Sequence, residues 1–194
     1  MRVRGFIIVA AVLIGRPVAS AAADQPAFSY YSIGDTHSLT RGRTEAALLL
    51  SGGGEWDVDA FRWFAAKAGH GHLVMLGAYG GGEDGANFYR DIGGVASVET
   101  LVFNSRAAAS DPRVLAILAH ADGIFIEGGD QSKYVRFWKG TPVARLIDDA
   151  INRRKPVGGT SAGLAILGAE SYGAMDGGSI DSPTALRNPA GPAA

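Results

Sequence analysis

Residues 155–168 read KPVGGTSAGLAILG. A short strand-like entry, Lys155-Pro-Val-Gly158, leads into a cluster of small residues, and an apolar run leaves it over 162–169. Gly159-Thr-Ser161-Ala-Gly163 fits the G-x-S-x-G pattern, in which a sharp strand-to-helix turn lifts a serine hydroxyl above the edge of a sheet. Such a turn needs small neighbours, because larger side chains would collide with the strand or the helix. It also sets the Ala162 amide at a helix N-terminus, aimed at any oxyanion that forms there. In the bland alternative, small residues only let a helix pack against a sheet and Ser161 serves as its N-cap.

Working outward, the strand-then-helix unit recurs. Gly123–Ile126 is a short apolar strand stopped by EGGDQ, and residues 131–138 and 142–153 are helical in spacing, separated by Gly140 and Pro142. Glu45–Leu50 reads as a buried strand ended by Ser51-Gly-Gly-Gly54, followed by a helix over 57–68 with Asp57 as N-cap. Leu73–Leu76 and Val98–Phe103 read as further strands. Ser110 is the expected cap of a helix to about Ala119, with Pro112 in its first turn. Alternating strands and helices predict an α/β, three-layer αβα fold with a mainly parallel sheet, flavodoxin-like in class. Ligands of such sheets bind beyond the carboxyl ends of the strands, so the SGGG, EGGD and GGTSAG loops should converge on one crevice. The glycine- and proline-rich stretch after Gly168 gives no clear pattern.

The N-terminus has a different character. Residues 1–23 combine Arg2 and Arg4, an apolar run from Gly5 to Gly15, and small residues before Asp24, the three-part pattern of a signal peptide. The apolar run is about half a bilayer span, so export to a secreted or periplasmic location without stable membrane insertion is expected. Residues 24–44 read as a polar lead-in and 45–194 as one α/β domain. Without the first segment, which carries three arginines and no acids, the formal charge of −1 becomes −4. That balance excludes a generic nucleic-acid binder. No cysteine is present, so thiol nucleophiles and thiolate metal sites are excluded.

A nucleophilic serine needs a base. The four histidines, His37, His70, His72 and His120, all precede Ser161. His70 and His72 read as exposed turn residues at the far end of their strand, and His120 as a favourable cation at a helix C-terminus. No metal-ligand cluster is apparent, and neither metal nor cofactor is expected. Asp130 either lines the crevice or caps the helix beginning at Gln131.

LLLSGGGEWDVDAFRWF (48–64), ADGIFIEGGDQSKYVRFWKGTPV (121–143) and KPVGGTSAGLAILG (155–168) together resemble peptidase family S51, the cyanophycinases and aspartyl dipeptidases, over roughly residues 45–186. The resemblance is closest to secreted cyanophycinase-like members. It implies a class I glutamine amidotransferase-like fold and a serine peptidase acting on aspartyl peptides, such as the β-Asp-Arg units of cyanophycin. It also implies Ser161 as nucleophile, Gly129 and Ala162 amides as the oxyanion hole, and Asp130 and Gln131 lining the substrate crevice. Asp176 takes the place of the acid found fifteen positions after the serine in the dipeptidase branch. A peptide or cyanophycin-like substrate is the expected partner, and a homodimer is left open.

The family's catalytic histidine follows the serine, in a stretch resembling T-H-F-x-x-R-G-R. No histidine follows Ser161 here, so a truncated or frame-shifted member is expected. Asp35-Thr-His37-Ser-Leu-Thr-Arg41-Gly-Arg43 resembles that stretch, and is read as chance similarity in the lead-in rather than a permuted relay to Ser161. Two other readings stay open: a non-catalytic binding protein that keeps the crevice, and an α/β-hydrolase esterase with SGGG as its oxyanion loop.

Overall fold

The computed structural model describes residues 25–39, 42–175, 182–189 and 191. The expected signal segment and Asp176 lie outside the described residues. Six strands form one sheet: β1 (Phe28–Gly34), β2 (Leu48–Ser51), β3 (His72–Gly77), β4 (Ser97–Phe103), β5 (Gly123–Ile126) and β6 (Val157–Thr160). Their spatial order is β1-β4-β3-β5-β6-β2. All neighbours are parallel except β1, which runs antiparallel to β4 with Phe28 opposite Phe103 and Gly34 opposite Ser97.

The helices are α1 (Val58–Lys67), α2 (Glu83–Asn87), α3 (Pro112–His120), α4 (Gln131–Trp138), α5 (Pro142–Asn152), α6 (Ala162–Ala165) and α7 (Ser182–Arg187). A π-helical turn, Phe88–Ile92, continues α2. Strand side chains alternate between two cores, as the pleat requires. Val74, Leu76, Ile124, Ile126 and Val157 face the core shared with α3, α4 and α5. Leu73, Met75 and Phe125 face the core of α1 and the π turn. There Phe125 meets Phe61 and Phe64 edge-on, at 5.1 and 6.0 Å between centroids. The expected three-layer αβα fold is the observed one.

Four expectations change. The strand expected to be buried over Glu45–Leu50 is β2, at the edge of the sheet with Leu48 and Leu50 exposed. The polar lead-in contains β1, held to the sheet by Tyr30, whose hydroxyl donates to Glu99 at 2.8 Å while the Arg113 guanidinium sits 4.4 Å over its ring. The cap of α3 is Asp111 rather than Ser110: its carboxylate accepts from the Arg113 amide at 2.8 Å, with Pro112 at the start of the helix. The helix after Ser161 stops at Ala165, well short of 169.

The connections locate a crevice. From β3 the chain turns outward to β4, and from β5 it turns the opposite way to β6, while β3 and β5 lie side by side. This is a topological switch point, where loops part and leave room beyond the strand ends.

Candidate active site

Strand β6 delivers Ser161 to that end of the sheet. Flanked by β2 and β5, it leaves no space for side chains at its glycines: a Cβ on Gly158 would lie 2.9 Å from both the Leu49 carbonyl oxygen and the Phe125 ring. The turn that follows is tighter still. A Cβ on Gly159 would meet the Gly163 carbonyl at 2.5 Å, and one on Gly163 would meet the Ile126 carbonyl oxygen at 2.2 Å. The two glycines of the motif are therefore where backbone packs directly on backbone.

Ser161 itself has φ 50° and ψ −116°, a left-handed backbone conformation that costs a non-glycine residue roughly 1–3 kcal/mol. Its amide donates to the Ser51 carbonyl at 2.9 Å. Its side chain makes no capping hydrogen bond to α6 and is exposed, so the N-cap reading fails. Glycines of the two other loops flank it: the Cβ positions of Gly53 and Gly128 lie 3.6 and 3.4 Å from the Ser161 Cβ. The SGGG, EGGD and GGTSAG loops do converge, and they do so on Ser161. Ala162, the first residue of α6, is buried beside it.

The EGGD loop is pinned from below. The Tyr134 hydroxyl lies 2.8 Å from the carbonyl oxygens of both Glu127 and Gly128 and donates to them, and burial raises its pKa. Gly129 takes φ +128°, with its Cβ position 3.6 Å from the Tyr79 Cβ. Asp130 caps α4 by accepting from the Ser132 amide at 2.9 Å, and hydrogen bonding from Ser132 holds its carboxyl below the usual range. Gln131 opens α4 and is half-buried. Capping leaves Asp130 exposed, so the two roles weighed for it are compatible.

None of the histidines reaches Ser161. His37 follows β1, whose end pairs with the start of β4; Ser38, its neighbour, bonds through its carbonyl to His72 Nε2 at 2.9 Å. That places His37 at the amino ends of the parallel strands, so the permuted relay is excluded. His70 and His120 share that end, His120 with its ring 5.9 Å from the His72 ring. His72 is buried rather than exposed as expected. Because a carbonyl can only accept, Nε2 of His72 donates to Ser38, and Nδ1 is hydrogen-bonded to the Ser97 hydroxyl at 2.7 Å.

One residue at the crevice escaped the sequence reading. Glu127 closes β5 and is 6 % exposed, with Oε1 buried and without a hydrogen-bond partner. Its other oxygen lies over Gly77, 2.5 Å from where a Cβ there would stand. Burial first, then the charges of Asp84 and Glu83, push its pKa up to about 8. The available signal was an acid directly ending an apolar strand, GIFIE, where water-exposed polar residues are the norm.

Comparison with known proteins identifies the family. Residues 83–186, more than half of the chain, match the description Peptidase family S51. A cyanophycinase of Synechococcus elongatus is 37 % identical over 98 residues, covering 50 % of this chain and 30 % of that protein. One of Trichormus variabilis is 28 % identical over 150 residues, covering 72 % and 50 %. The chain thus spans half or less of the length of the curated relatives it matches. A solved peptidase from an acI-B1 Actinobacterium superposes with a TM-score of 0.53 at 18 % identity, over 69 % of this chain and 61 % of that one, and so shares the fold. The chain belongs to peptidase family S51.

Proposed function

We propose that the crevice is a cyanophycinase-type serine peptidase site in which Ser161 attacks an aspartyl peptide bond, the β-Asp-Arg linkage of cyanophycin being the substrate class. The observation that carries this reading is the presentation of Ser161: a strained turn, an exposed hydroxyl without a capping role, and glycine loops on both sides that leave room for a substrate. The amides of Ala162 and Gly129 are the proposed oxyanion donors; the first amide of a helix has no partner within the helix. Asp130 and Gln131 are proposed to line the substrate side. The expected export through the N-terminal segment belongs to the same proposal, and among the described residues no helix is long and apolar enough to cross a membrane.

Among the described residues no histidine lies beside Ser161, and the second reading to test is a binding protein that keeps the crevice but does not activate Ser161. Family membership favours both over the α/β-hydrolase esterase. Turnover of cyanophycin or of a β-Asp-Arg dipeptide, lost in Ser161→Ala, supports the first reading. Binding of either without turnover or covalent labelling supports the second.

A further inference from the structure

Helix α4 carries, one turn in, a side chain that acts back on the loop preceding it. Tyr134 is 1 % exposed, and its ring stacks on Trp138 at 4.5 Å between centroids. Its hydroxyl donates to the carbonyl oxygens of Glu127 and Gly128, 2.8 Å from each. A buried tyrosine hydroxyl needs an acceptor. Here the choice of acceptor has a consequence for chemistry, because Gly128 shares its peptide with Gly129.

That peptide is trans and planar, so its C=O and N–H point in opposite directions. Holding the Gly128 oxygen on the core side turns the Gly129 N–H towards the opposite face of the loop. Ser161 is exposed on that face, with its Cβ 3.4 Å from the Cβ position of Gly128. Among the described residues the Gly129 amide donates to no protein group, which leaves it open to a ligand oxygen.

A Gly–Gly peptide needs such a hold. With no Cβ on either side, its plane rotates with little steric resistance. In the rotated state a carbonyl oxygen would stand where the N–H stood and repel a developing oxyanion. The neighbouring restraints act elsewhere. The Asp130 carboxylate accepts from the Ser132 amide at 2.9 Å, and the Lys133 ammonium donates to the Ala78 carbonyl at 3.2 Å. Neither touches the Gly128 carbonyl; the Tyr134 hydroxyl does. We infer that Tyr134 is a positioning residue, which orients the Gly128–Gly129 peptide so that the Gly129 N–H faces the bond attacked by Ser161. What that N–H meets rests on the peptidase reading above, whereas the grip of Tyr134 on the peptide does not.

The test compares the wild type with Tyr134→Phe, which removes the hydroxyl and keeps the ring, by crystal structure and by the rate of labelling with a fluorophosphonate. In Tyr134→Phe the Gly128 carbonyl should turn away from residue 134 or take two orientations. One ordinary hydrogen bond favours one orientation over another by about tenfold, so the labelling rate should fall by about that factor. In the wild-type adduct the phosphonyl oxygen should lie about 2.7–3.1 Å from the Gly129 nitrogen. Ile147→Val trims the same core from α5. It should lower the melting temperature and leave the labelling rate unchanged, which separates positioning from a general loss of stability. An unmoved peptide in Tyr134→Phe, a moved peptide with an unchanged rate, or an adduct oxygen away from the Gly129 amide would overturn the inference. A wild type that takes no label defeats the peptidase reading instead, and the peptide orientation in Tyr134→Phe then decides this inference alone. If Tyr134→Phe does not fold, the wild-type crystal structure decides, and a Gly128 carbonyl not held by Tyr134 overturns it.

Discussion

Ser161, with its left-handed backbone, and Glu127, with its unpartnered buried oxygen, depart from what stability alone would select. The backbone of Ser161 is in a region that only glycine enters freely. Ser161→Gly is therefore expected to be more stable than Ser161→Ala by roughly 1 kcal/mol, measured by urea denaturation; equal stabilities would mean that the turn is unstrained. Glu127 carries the opposite kind of cost. Its pKa is raised from 4.5 to about 8, so between those values the folded chain holds a proton that the unfolded chain has released. Its favourable contribution is complete below about pH 4.5 and is lost as pH rises to 8. Glu127→Gln should gain on the wild type across that window and be the more stable protein at pH 9 in thermal melts. A constant difference between the two from pH 5 to 9 would show that Glu127 is already ionised. The glycines of the turn have no such latitude: Gly163→Ala, with its Cβ 2.2 Å from the Ile126 carbonyl oxygen, should cost about 1–3 kcal/mol or more.

At the scale of elements, what could be read from the sequence depended on how local the cause was. Helix α4 has the expected ends because Asp130 caps it with its own side chain. Asp130→Ala should cost about 1 kcal/mol in urea denaturation, and Asp130→Asn only a fraction of that; equal losses would point to the charge rather than the cap. Strand β5 keeps its expected bounds because an apolar run is bracketed by Gly123 and EGGD. Strand β1 was not visible in advance. Its residues, FSYYSIG, show no clean burial alternation, and it is a strand because the β4 edge offers it a ladder and Glu99 and Arg113 receive Tyr30. The α2 and π-turn segment was hidden for a similar reason. It is rich in glycine and polar residues at its start, and only Phe88 and Ile92 anchor it in the core. His72 was misjudged because its burial comes from partners distant in sequence, Ser38 and Ser97.

For the whole molecule, chemistry is segregated between the two ends of the sheet. The serine, the glycine loops and the acid cluster gather at the carboxyl ends, and all four histidines at the amino ends. The convergence of SGGG, EGGD and GGTSAG on one point was legible in sequence, since parallel strands put all their following loops on the same side. The separation of His70 and His72 from the serine was legible too, whereas that of His37 was not, because it depends on β1 running antiparallel. It follows that replacing His37, His70 or His120 by Gln should leave any reaction of Ser161 unchanged, whereas His72→Ala should lower the melting temperature by removing one buried and one part-buried hydrogen bond. A loss of reactivity in His37→Gln would revive the permuted relay. The most direct measurement of the central claim is labelling of the folded chain with a fluorophosphonate, read by intact mass. One adduct on the wild type that disappears in a folded Ser161→Ala is the expected result. A folded wild type that takes no label would contradict the reading of Ser161 as a nucleophile and leave the crevice as a binding site.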